Sequence, residues 1–359
     1  MSSLQMQEYL QGSDELCPEE VYKSLHKKGG KLIGQPKRGF GADSEDIAHG
    51  EHFDYVELSE SLDPLDEREV RTLWGDAFRK FRKNRLAMAA LIWILFISLV
   101  TTSADLWVPQ NFGDPTHIDT LTVAEMRLQT SSAEHPFGTD SNGRDMFGRV
   151  IYGARVSLTV GLVATLIAFS FGVLLGSIAG YFGKWVDAII MRFTEIVLSF
   201  PYILLAILIM ALLPAEIRGV WSVVGVIAVF GWGSFARLFR SSVLTIKESD
   251  YVLAAKALGA SSWRIMFRHI LPNAIIPALV VATMTVGGAI LTESALSFLG
   301  LGIQDPAISW GRMISDGRTF LTSSPQLVMY PGVAILSTVL AFMLLGDGVR
   351  DALDTKSKD

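Results

Sequence analysis

The chain has 359 residues, half of them apolar, with a mean hydropathy of +0.37 and a formal net charge of −5. This composition excludes an ordinary soluble domain, because the apolar residues form long blocks and are not scattered along the chain. The single cysteine excludes an internal disulfide. No nucleic-acid partner is expected.

Six charge-free runs are each long enough to cross about 30 Å of hydrocarbon as a helix. They are Leu86–Ser103, Val156–Phe182, Ile196–Ala215, Gly219–Ala236, Ile270–Thr292 and Thr319–Gly346. One such run is compatible with a buried core helix, but six in one chain indicate a membrane protein. The sequence therefore predicts an all-α polytopic membrane protein with six transmembrane helices, the first over residues 86–108 and the others within residues 156–354.

Positive charges near the span ends predict the orientation in the membrane. The basic segment 71–85 contains RKFRKNR (Arg79–Arg85), with five positive charges in seven residues. Further Lys and Arg residues lie between spans four and five and at the C-terminus. With six spans these segments share one side, so both termini are expected in the cytoplasm and the loop 109–155 outside.

The first 70 residues differ from the rest of the chain. They carry 16 acidic and 7 basic residues, a net charge of −9, whereas residues 71–359 have a net charge of +4. Because apolar residues are sparse there, residues 1–70 are predicted to form a largely disordered cytoplasmic tail. Two readings stay open: a solvated tail without a specific role, or a docking segment for a cytoplasmic partner.

The motifs of catalysis are missing. The sequence contains no phosphate-binding GxxxxGK[ST] loop, no HExxH and no GxSxG, and its six histidines show no metal-ligand spacing. We therefore expect no catalytic residue, no metal and no cofactor on this chain, so any driving energy must come from a partner.

One polar segment between spans four and five, YVLAAKALGASSWRIMFRHILP (Tyr251–Pro272), predicts two short helices. The first has an apolar stripe formed by Tyr251, Ala254, Ala255 and Leu258. Gly259 should end this helix, and Ser261 or Ser262 should cap the next one. The second helix has a stripe formed by Trp263, Met266, Phe267 and Ile270, with Arg264 and Arg268 beside it. Pro272 marks the entry to span five, and the pair is suited either to the lipid interface or to a partner surface.

The same segment, within residues 250–272, resembles the EAA loop of ABC importer permeases, whose pattern is E-A-A, three residues, G, nine residues, I-x-L-P. Ala254, Ala255, Gly259, Leu271 and Pro272 match this pattern, whereas Leu253 and His269 stand where glutamate and isoleucine are expected. The resemblance implies a coupling helix that fits a groove on a cytoplasmic ATPase. It implies as coupling residues Tyr251, Ala254, Ala255, Leu258, Gly259, Trp263, Arg264, Phe267, Leu271 and Pro272.

Four further motifs are similar to those of the C-type permease subunit in dipeptide, oligopeptide and nickel importers. They begin HPFGTDSNGRD (His135), GYFGKWVDAII (Gly180), ESALSFLGLG (Glu293) and PGVAILSTVL (Pro331), and the likeness extends over residues 74–354. The resemblance implies a bacterial or archaeal plasma-membrane permease that performs no catalysis. Its expected partners are a homologous second permease, two ATP-binding subunits that hold ATP and Mg²⁺, and an extracellular or periplasmic substrate-binding protein.

The cargo follows less directly from this resemblance. Di- or oligopeptides are favoured, but nickel chelates, glutathione or another small solute fit the same class. A gated channel is the alternative from a different class, since it would conduct without ATP and would need no coupling loop.

Two acidic residues lie at span edges, where carboxylates are rare and often functional. Glu195 is close to Arg192, and an ion pair between them is expected. Glu293 has two readings, because it could line the translocation path or pair with a basic residue of the second permease.

Outside the spans, the charges of Asp140, Arg144 and Asp145 could pair with one another. Their loop could form a docking face for the binding protein or brace the bundle. Within span two, Gly172, Gly176 and Gly180 are spaced by four and predict close helix packing. Pro201 and Pro277 predict kinks in spans three and five.

Overall fold

The computed structural model describes residues 73–108 and 126–353. The acidic tail of residues 1–70, most of the loop before residue 126 and the last six residues lie outside these ranges, so the predictions made for them are not addressed by the structure.

The described residues fold almost entirely into helices. The α-helices are α1 Leu73–Lys83, α2 Arg85–Thr102, α3 Ala104–Trp107, α4 Met146–Phe182, α5 Lys184–Ser199, α6 Tyr202–Leu212, α7 Val220–Lys247, α8 Asp250–Ala257, α9 Ser262–Ile265, α10 Leu271–Phe298, α11 Trp310–Gly317 and α12 Gln326–Leu353. A π-helical turn, Met266–Ile270, joins α9 to α10, and 3₁₀ turns cover Ala215–Ile217 and Arg318–Phe320.

Five of these helical stretches are long and apolar enough to cross a membrane: α2, α4, α7, the continuous stretch 262–298 and α12. Helices α5 and α6 form a sixth span if the pair is counted as one, although they are bent by 79°. The all-α polytopic prediction is therefore confirmed. The bend lies at Phe200–Pro201, where proline removes a backbone donor, as predicted for Pro201. Helix α10 continues through Pro277, and the kink predicted there stays a prediction.

Several spans begin at different residues from those predicted, and two of them show the physical reason. Helix α4 begins at Met146, ten residues before the apolar run, because the side chain of Asp145 caps it by accepting from the Gly148 N–H at 2.7 Å. Helix α12 begins at Gln326, seven residues after the start of the apolar run. The four residues directly before this helix, TSSP (322–325), end in Pro325 and do not favour a helix.

The most extensive helix–helix contact joins α4 and α7. Along this contact Gly172, Gly176 and Gly180 face α7 so closely that no Cβ would fit. A Cβ on Gly176 would lie 2.5 Å from the Ala236 carbonyl oxygen and 2.9 Å from the Phe239 Cβ. The predicted small-residue packing face is confirmed, and α7 is its partner.

The two ends of the bundle are held by separate apolar clusters. At one end, here the Trp310 end, Trp310 is fully buried with Met146, Ile290 and Phe342. At the other, here the Gly259 end, Val243 and Ile270 belong to a second cluster. The chain order places the α4 start, the α10 end and α11 at the Trp310 end, and α8 and α9 at the Gly259 end.

Candidate functional site

The turn after α8 has the hydrogen bonds of a glycine-terminated helix. Gly259 adopts φ +80°, the Gly259 N–H donates to Lys256 O at 3.0 Å, and the Ala260 N–H donates to Ala255 O at 3.1 Å. These two bonds define a Schellman motif with Gly259 at the left-handed position. The Ser261 hydroxyl then accepts from the Arg264 N–H, which caps α9. The helix–turn–helix prediction is confirmed, with Ser261 as the cap.

The buried side of this segment fixes it to the bundle. Val252, Ile265 and Ile270 are buried in one apolar cluster with Phe239 and Val243 of α7. Full burial of a Val or Ile side chain stabilises a fold by about 1.5–3 kcal/mol. The segment 250–272 is therefore anchored through α7 and α10.

Polar contacts brace the same end of the bundle. The Asn273 side chain of α10 donates to the Tyr251 hydroxyl of α8 at 3.2 Å. The guanidinium of Arg240 in α7 donates to the Asp187 carboxylate in α5 through Nη2 at 2.6 Å. The pairing of Asp187 with Arg240 was not anticipated from the sequence, because the two residues are far apart in the chain.

The outer side of the segment is an exposed apolar surface, called here the coupling surface. Leu258 is 88% exposed, and the rings of Trp263 and Phe267 stack with centroids 5.6 Å apart and an interplanar angle of 13°. The coupling surface consists of Tyr251, Leu253, Ala254, Leu258, Trp263 and Phe267, all exposed. An exposed apolar surface on an otherwise polar segment is typical of a contact with another protein or with lipid.

The predicted stripes divide differently in the structure. None of the residues in the first stripe is buried, and Val252, which lies outside that stripe, is the buried residue of α8. In the second stripe Met266 and Ile270 are buried, whereas Trp263 and Phe267 are exposed. The first stripe therefore lies on the side of α8 that is not buried, and Val252 anchors this helix to the bundle.

Pro272 does not interrupt the helix that leads into span five. It follows the π-helical turn, in which the Leu271 N–H donates to Met266 O. Proline lacks an N–H and clashes with the preceding turn, and a π-turn provides the extra residue that accommodates it. Arg264 and Pro272 are exposed and Leu271 is partly buried.

Glu293 lies in α10 and is fully buried among hydroxyl groups. Its Oε1 accepts from Ser297 at 2.7 Å, and its Oε2 accepts from Ser157 at 3.3 Å and Ser294 at 3.4 Å. The hydroxyl of Ser309 lies next to it. Within its own chain the carboxylate is enclosed by these hydroxyl partners, and its roles in the translocation path or in a pair with a second permease stay predictions.

The serines around Glu293 in turn hold the segment that follows α10. Ser297 Oγ accepts from the Ile303 N–H at 3.1 Å, and Ser157 Oγ accepts from the Trp310 N–H at 3.3 Å. The carboxylate thus organises a network that joins α4, α10 and the start of α11.

A separate cavity of about 410 Å³ lies between α4, the α5–α6 bend, α7 and α10. Hydroxyl-bearing residues from four helices line it, namely Thr165, Tyr202, Ser234, Thr285 and Thr292, together with apolar residues and glycines. None of the described lining residues carries a charge. This cavity could not be predicted from local sequence patterns, because its lining residues come from distant parts of the chain.

At the Trp310 end, charged residues form a buried network. Asp140 accepts from Arg144 Nε at 2.7 Å and lies 3.5 Å from Arg149 Nη1. Arg149, which is only 1% exposed, also lies 3.5 Å from the Asp316 carboxylate of α11. The expected pairing of Asp140 with Arg144 is confirmed, whereas the role of Arg149 was not anticipated.

Asp145 pairs with His135 at 3.0 Å and caps α4, so its expected pairing with the neighbouring charges was wrong. Burial raises the pKa of the Asp145 carboxyl, although its hydrogen bonds oppose this change. Glu195 contacts Arg192 at 3.3 Å as expected, with both side chains exposed.

Comparisons with known proteins define the class of this bundle. Residues 172–359 match the family described as binding-protein-dependent transport system inner membrane component, and residues 72–121 match the N-terminal TM domain of oligopeptide transport permease C. The chain belongs to this family of membrane permeases, which are subunits of ABC importers and act with ATPase and substrate-binding partners.

Its relatives include permeases of named transport systems. The dipeptide transport system permease protein DppC of Alkalihalophilus pseudofirmus is 44% identical over 295 residues, which cover 82% of this chain and 94% of the relative. The oligopeptide transport system permease protein OppC of Bacillus subtilis is 41% identical over 285 residues, 79% of this chain and 90% of the relative. The glutathione transport system permease protein GsiD of Pectobacterium atrosepticum is 38% identical over 298 residues, 83% of this chain and 96% of the relative.

Proposed function

We propose that this chain is one of two membrane subunits of an importer for dipeptides and short oligopeptides. The DppC and OppC relatives are each more than 40% identical to it over about four-fifths of its length. Glutathione is a second candidate cargo, because the GsiD relative covers as much of the chain. Glutathione is itself a small peptide, so both cargoes agree with one chemical class.

Contact with an ATPase is supported by the exposed apolar side of segment 250–272, which is the coupling surface. Its Leu258 and Trp263 side chains are exposed, while Ile265 and Ile270 beneath them are buried against α7. Such an element transmits a push on its outer side to the helices that carry it, because packed side chains resist compression. The chain uses this surface to contact a cytoplasmic ATPase, and the partner subunits bind ATP and Mg²⁺.

The expected arrangement of partner subunits is the one implied by the class of ABC importer permeases. A homologous, non-identical permease forms the other half of the path, two ATPase subunits bind at the Gly259 end, and a binding protein delivers cargo at the Trp310 end. Both chain termini lie in the cytoplasm, in agreement with the five positive charges of Arg79–Arg85 immediately before α2.

The orientation can be tested with Cys17, the single cysteine of the chain. A membrane-impermeant maleimide should label Cys17 in inverted vesicles and in permeabilised cells, but not in intact cells. Labelling of intact cells would place the N-terminus outside and would overturn the topology.

The cargo is tested by uptake in cells that lack this subunit and in cells to which it has been restored. Restored cells should import radiolabelled dialanine, and excess unlabelled short peptide should compete. Restored uptake of glutathione without dialanine uptake would select the second candidate. Uptake of neither would contradict the proposed cargo class.

A further inference from the structure

We propose that the cavity of about 410 Å³ between α4, the α5–α6 bend, α7 and α10 is a transient binding site for the uncharged middle part of a peptide. This inference rests on the proposed function and specifies which part of the peptide this chain contacts.

The size and chemistry of the cavity favour such a ligand. Its volume falls within the range of roughly 300–1,000 Å³ found for small-molecule sites. Its described lining residues carry no charge, so they offer nothing to balance the charged ends of a peptide. They provide hydroxyl groups and apolar side chains, which match amide groups and uncharged side chains.

The hydroxyl groups of α10 present acceptors to the cavity. Thr285 donates to Val281 O at 2.8 Å and Thr292 donates to Gly288 O at 2.9 Å. Because each threonine has only one hydroxyl hydrogen, its oxygen can otherwise only accept; that of Thr285 is the clearer acceptor, since the Thr292 hydroxyl already has the Tyr202 hydroxyl beside it. The N–H groups of a peptide backbone are the matching donors.

Thr165 of α4 adds a hydroxyl that has not found a partner. It lines the cavity, is 4% exposed, and its Oγ1 makes no hydrogen bond to the described residues. Buried hydroxyl groups are usually hydrogen-bonded, and one without a partner requires an explanation. A bound peptide group provides that partner after rotation about the threonine χ1, for which helical threonine has two preferred rotamers.

A site of this kind also suits transport. It holds the ligand through neutral hydrogen bonds, which are individually weak in their net effect. Because no ion pair is formed, the peptide can leave again when the path opens on the other side.

Gly288 provides the sharpest test. It lines the cavity, and a Cβ added there would have no atom within 4 Å, so a larger side chain has room at this edge of the cavity. Gly332 of α12 is the matched control, because a Cβ there is equally free and α12 contributes no lining residue.

The experiment measures ATP-driven uptake of radiolabelled dialanine and penta-alanine in vesicles that contain the complete transporter. The Gly288→Leu variant should reduce uptake of penta-alanine about tenfold or more and that of dialanine less, with binding-protein-stimulated ATP hydrolysis maintained. The Gly332→Leu variant should transport both peptides as the parent does. Equal uptake by Gly288→Leu and the parent would overturn the cavity assignment.

A second variant keeps the test decisive if Gly288→Leu does not accumulate in the membrane. Thr165→Val keeps the shape and removes the hydroxyl, and should raise the apparent KM for dialanine about threefold to tenfold. An unchanged KM together with normal accumulation would reject the hydroxyl contact and with it the proposed site. If the parent transporter itself imports neither peptide, the proposed function fails, and this outcome is distinguishable from failure of the cavity alone.

Discussion

The hydroxyl of Ser157 in α4 donates a hydrogen bond to the carboxylate of Glu293 in α10 at 3.3 Å, across 136 residues of sequence. The same hydroxyl accepts from the Trp310 N–H, so one carboxylate and one serine fix the start of α11 to the bundle. Glu293 is therefore a structural centre of the Trp310 end.

Replacement of Glu293 should expose this role. In Glu293→Leu the hydroxyls of Ser157, Ser294 and Ser297 lose their acceptor, which should lower the free energy of unfolding by about 1–3 kcal/mol. Glu293→Gln retains an acceptor and should have a smaller effect. Thermal unfolding of the purified complex in detergent measures the difference.

Glu195 is the matched control, because it pairs with Arg192 and both side chains of this ion pair are exposed. Glu195→Leu should change stability by no more than about 0.5 kcal/mol. An equal loss in Glu293→Leu and Glu195→Leu would contradict the structural role of the buried network.

The close packing of α4 against α7 predicts a size limit at Gly176. Gly176→Ala places a Cβ 2.5 Å from the Ala236 carbonyl oxygen, and the backbone cannot yield without moving a helix. We expect a loss of about 1–3 kcal/mol in the free energy of unfolding, measured by thermal unfolding.

Gly225 of α7 shows the opposite case, since a Cβ there meets nothing within 4 Å. Gly225→Ala should be neutral or stabilising by up to about 1 kcal/mol, because alanine favours helix more than glycine does. If Gly176→Ala and Gly225→Ala destabilised the protein to a similar degree, helix packing would not be what limits the side-chain size at Gly176.

The left-handed turn at Gly259 predicts a loss of coupling. Alanine fits the space around Gly259, but φ +80° disfavours it by about 1–2 kcal/mol. Gly259→Ala should therefore lower the peptide transported per ATP hydrolysed, by about fivefold. Parallel measurement of uptake and ATP hydrolysis in vesicles gives this ratio.

Gly300 lies after α10 at the Trp310 end with φ +75° and the same free space. Gly300→Ala carries the same backbone penalty and should leave the ratio of transport to hydrolysis unchanged. If both variants uncouple transport equally, the effect reflects general loosening and not the turn in segment 250–272.

The charged network at the Trp310 end predicts a direction for the pH dependence of stability. Burial raises the pKa of Asp316 above its ordinary value of 3.8, although Arg312 and Arg149 oppose this. The folded chain then binds this proton more tightly than the unfolded chain does. The contribution of Asp316 to stability therefore decreases as the pH rises from about 3.8 through the raised pKa, and is constant above it.

The difference in thermal stability between the parent and Asp316→Asn should accordingly decrease as the pH rises across this interval. Measurements above the raised pKa serve as the reference, because the difference between parent and variant no longer changes with pH there. An increase of the Asp316 contribution as the pH rises would contradict the assigned direction.

Much of the fold could be predicted from local sequence. Charge-free length identified the spans, the four-residue spacing of Gly172, Gly176 and Gly180 identified a packing face, and Gly259 identified the turn. Each of these features depends on neighbouring residues alone.

The rest depends on residues that meet only in the folded chain. Asp187 pairs with Arg240 and Glu293 with Ser157, and nothing in the local pattern indicates either partner. The size of the bend at Pro201 and the cavity behind it are set by the packing of four helices. Sequence spacing also cannot decide which stripe of a short helix such as α8 is buried, since a single anchor, Val252, decides it.

The most direct measurement of the central claim is copurification of the ATPase subunits with a variant of the coupling surface. Leu258 is 88% exposed, and Leu106 in α3, near the opposite membrane side, is exposed to the same degree. Leu258→Glu should reduce ATPase copurification about tenfold or more and abolish ATP-dependent uptake, because it places a charge in an apolar contact. Leu106→Glu should retain both. Full ATPase binding and uptake in Leu258→Glu would contradict the account that this surface couples the permease to its energy source.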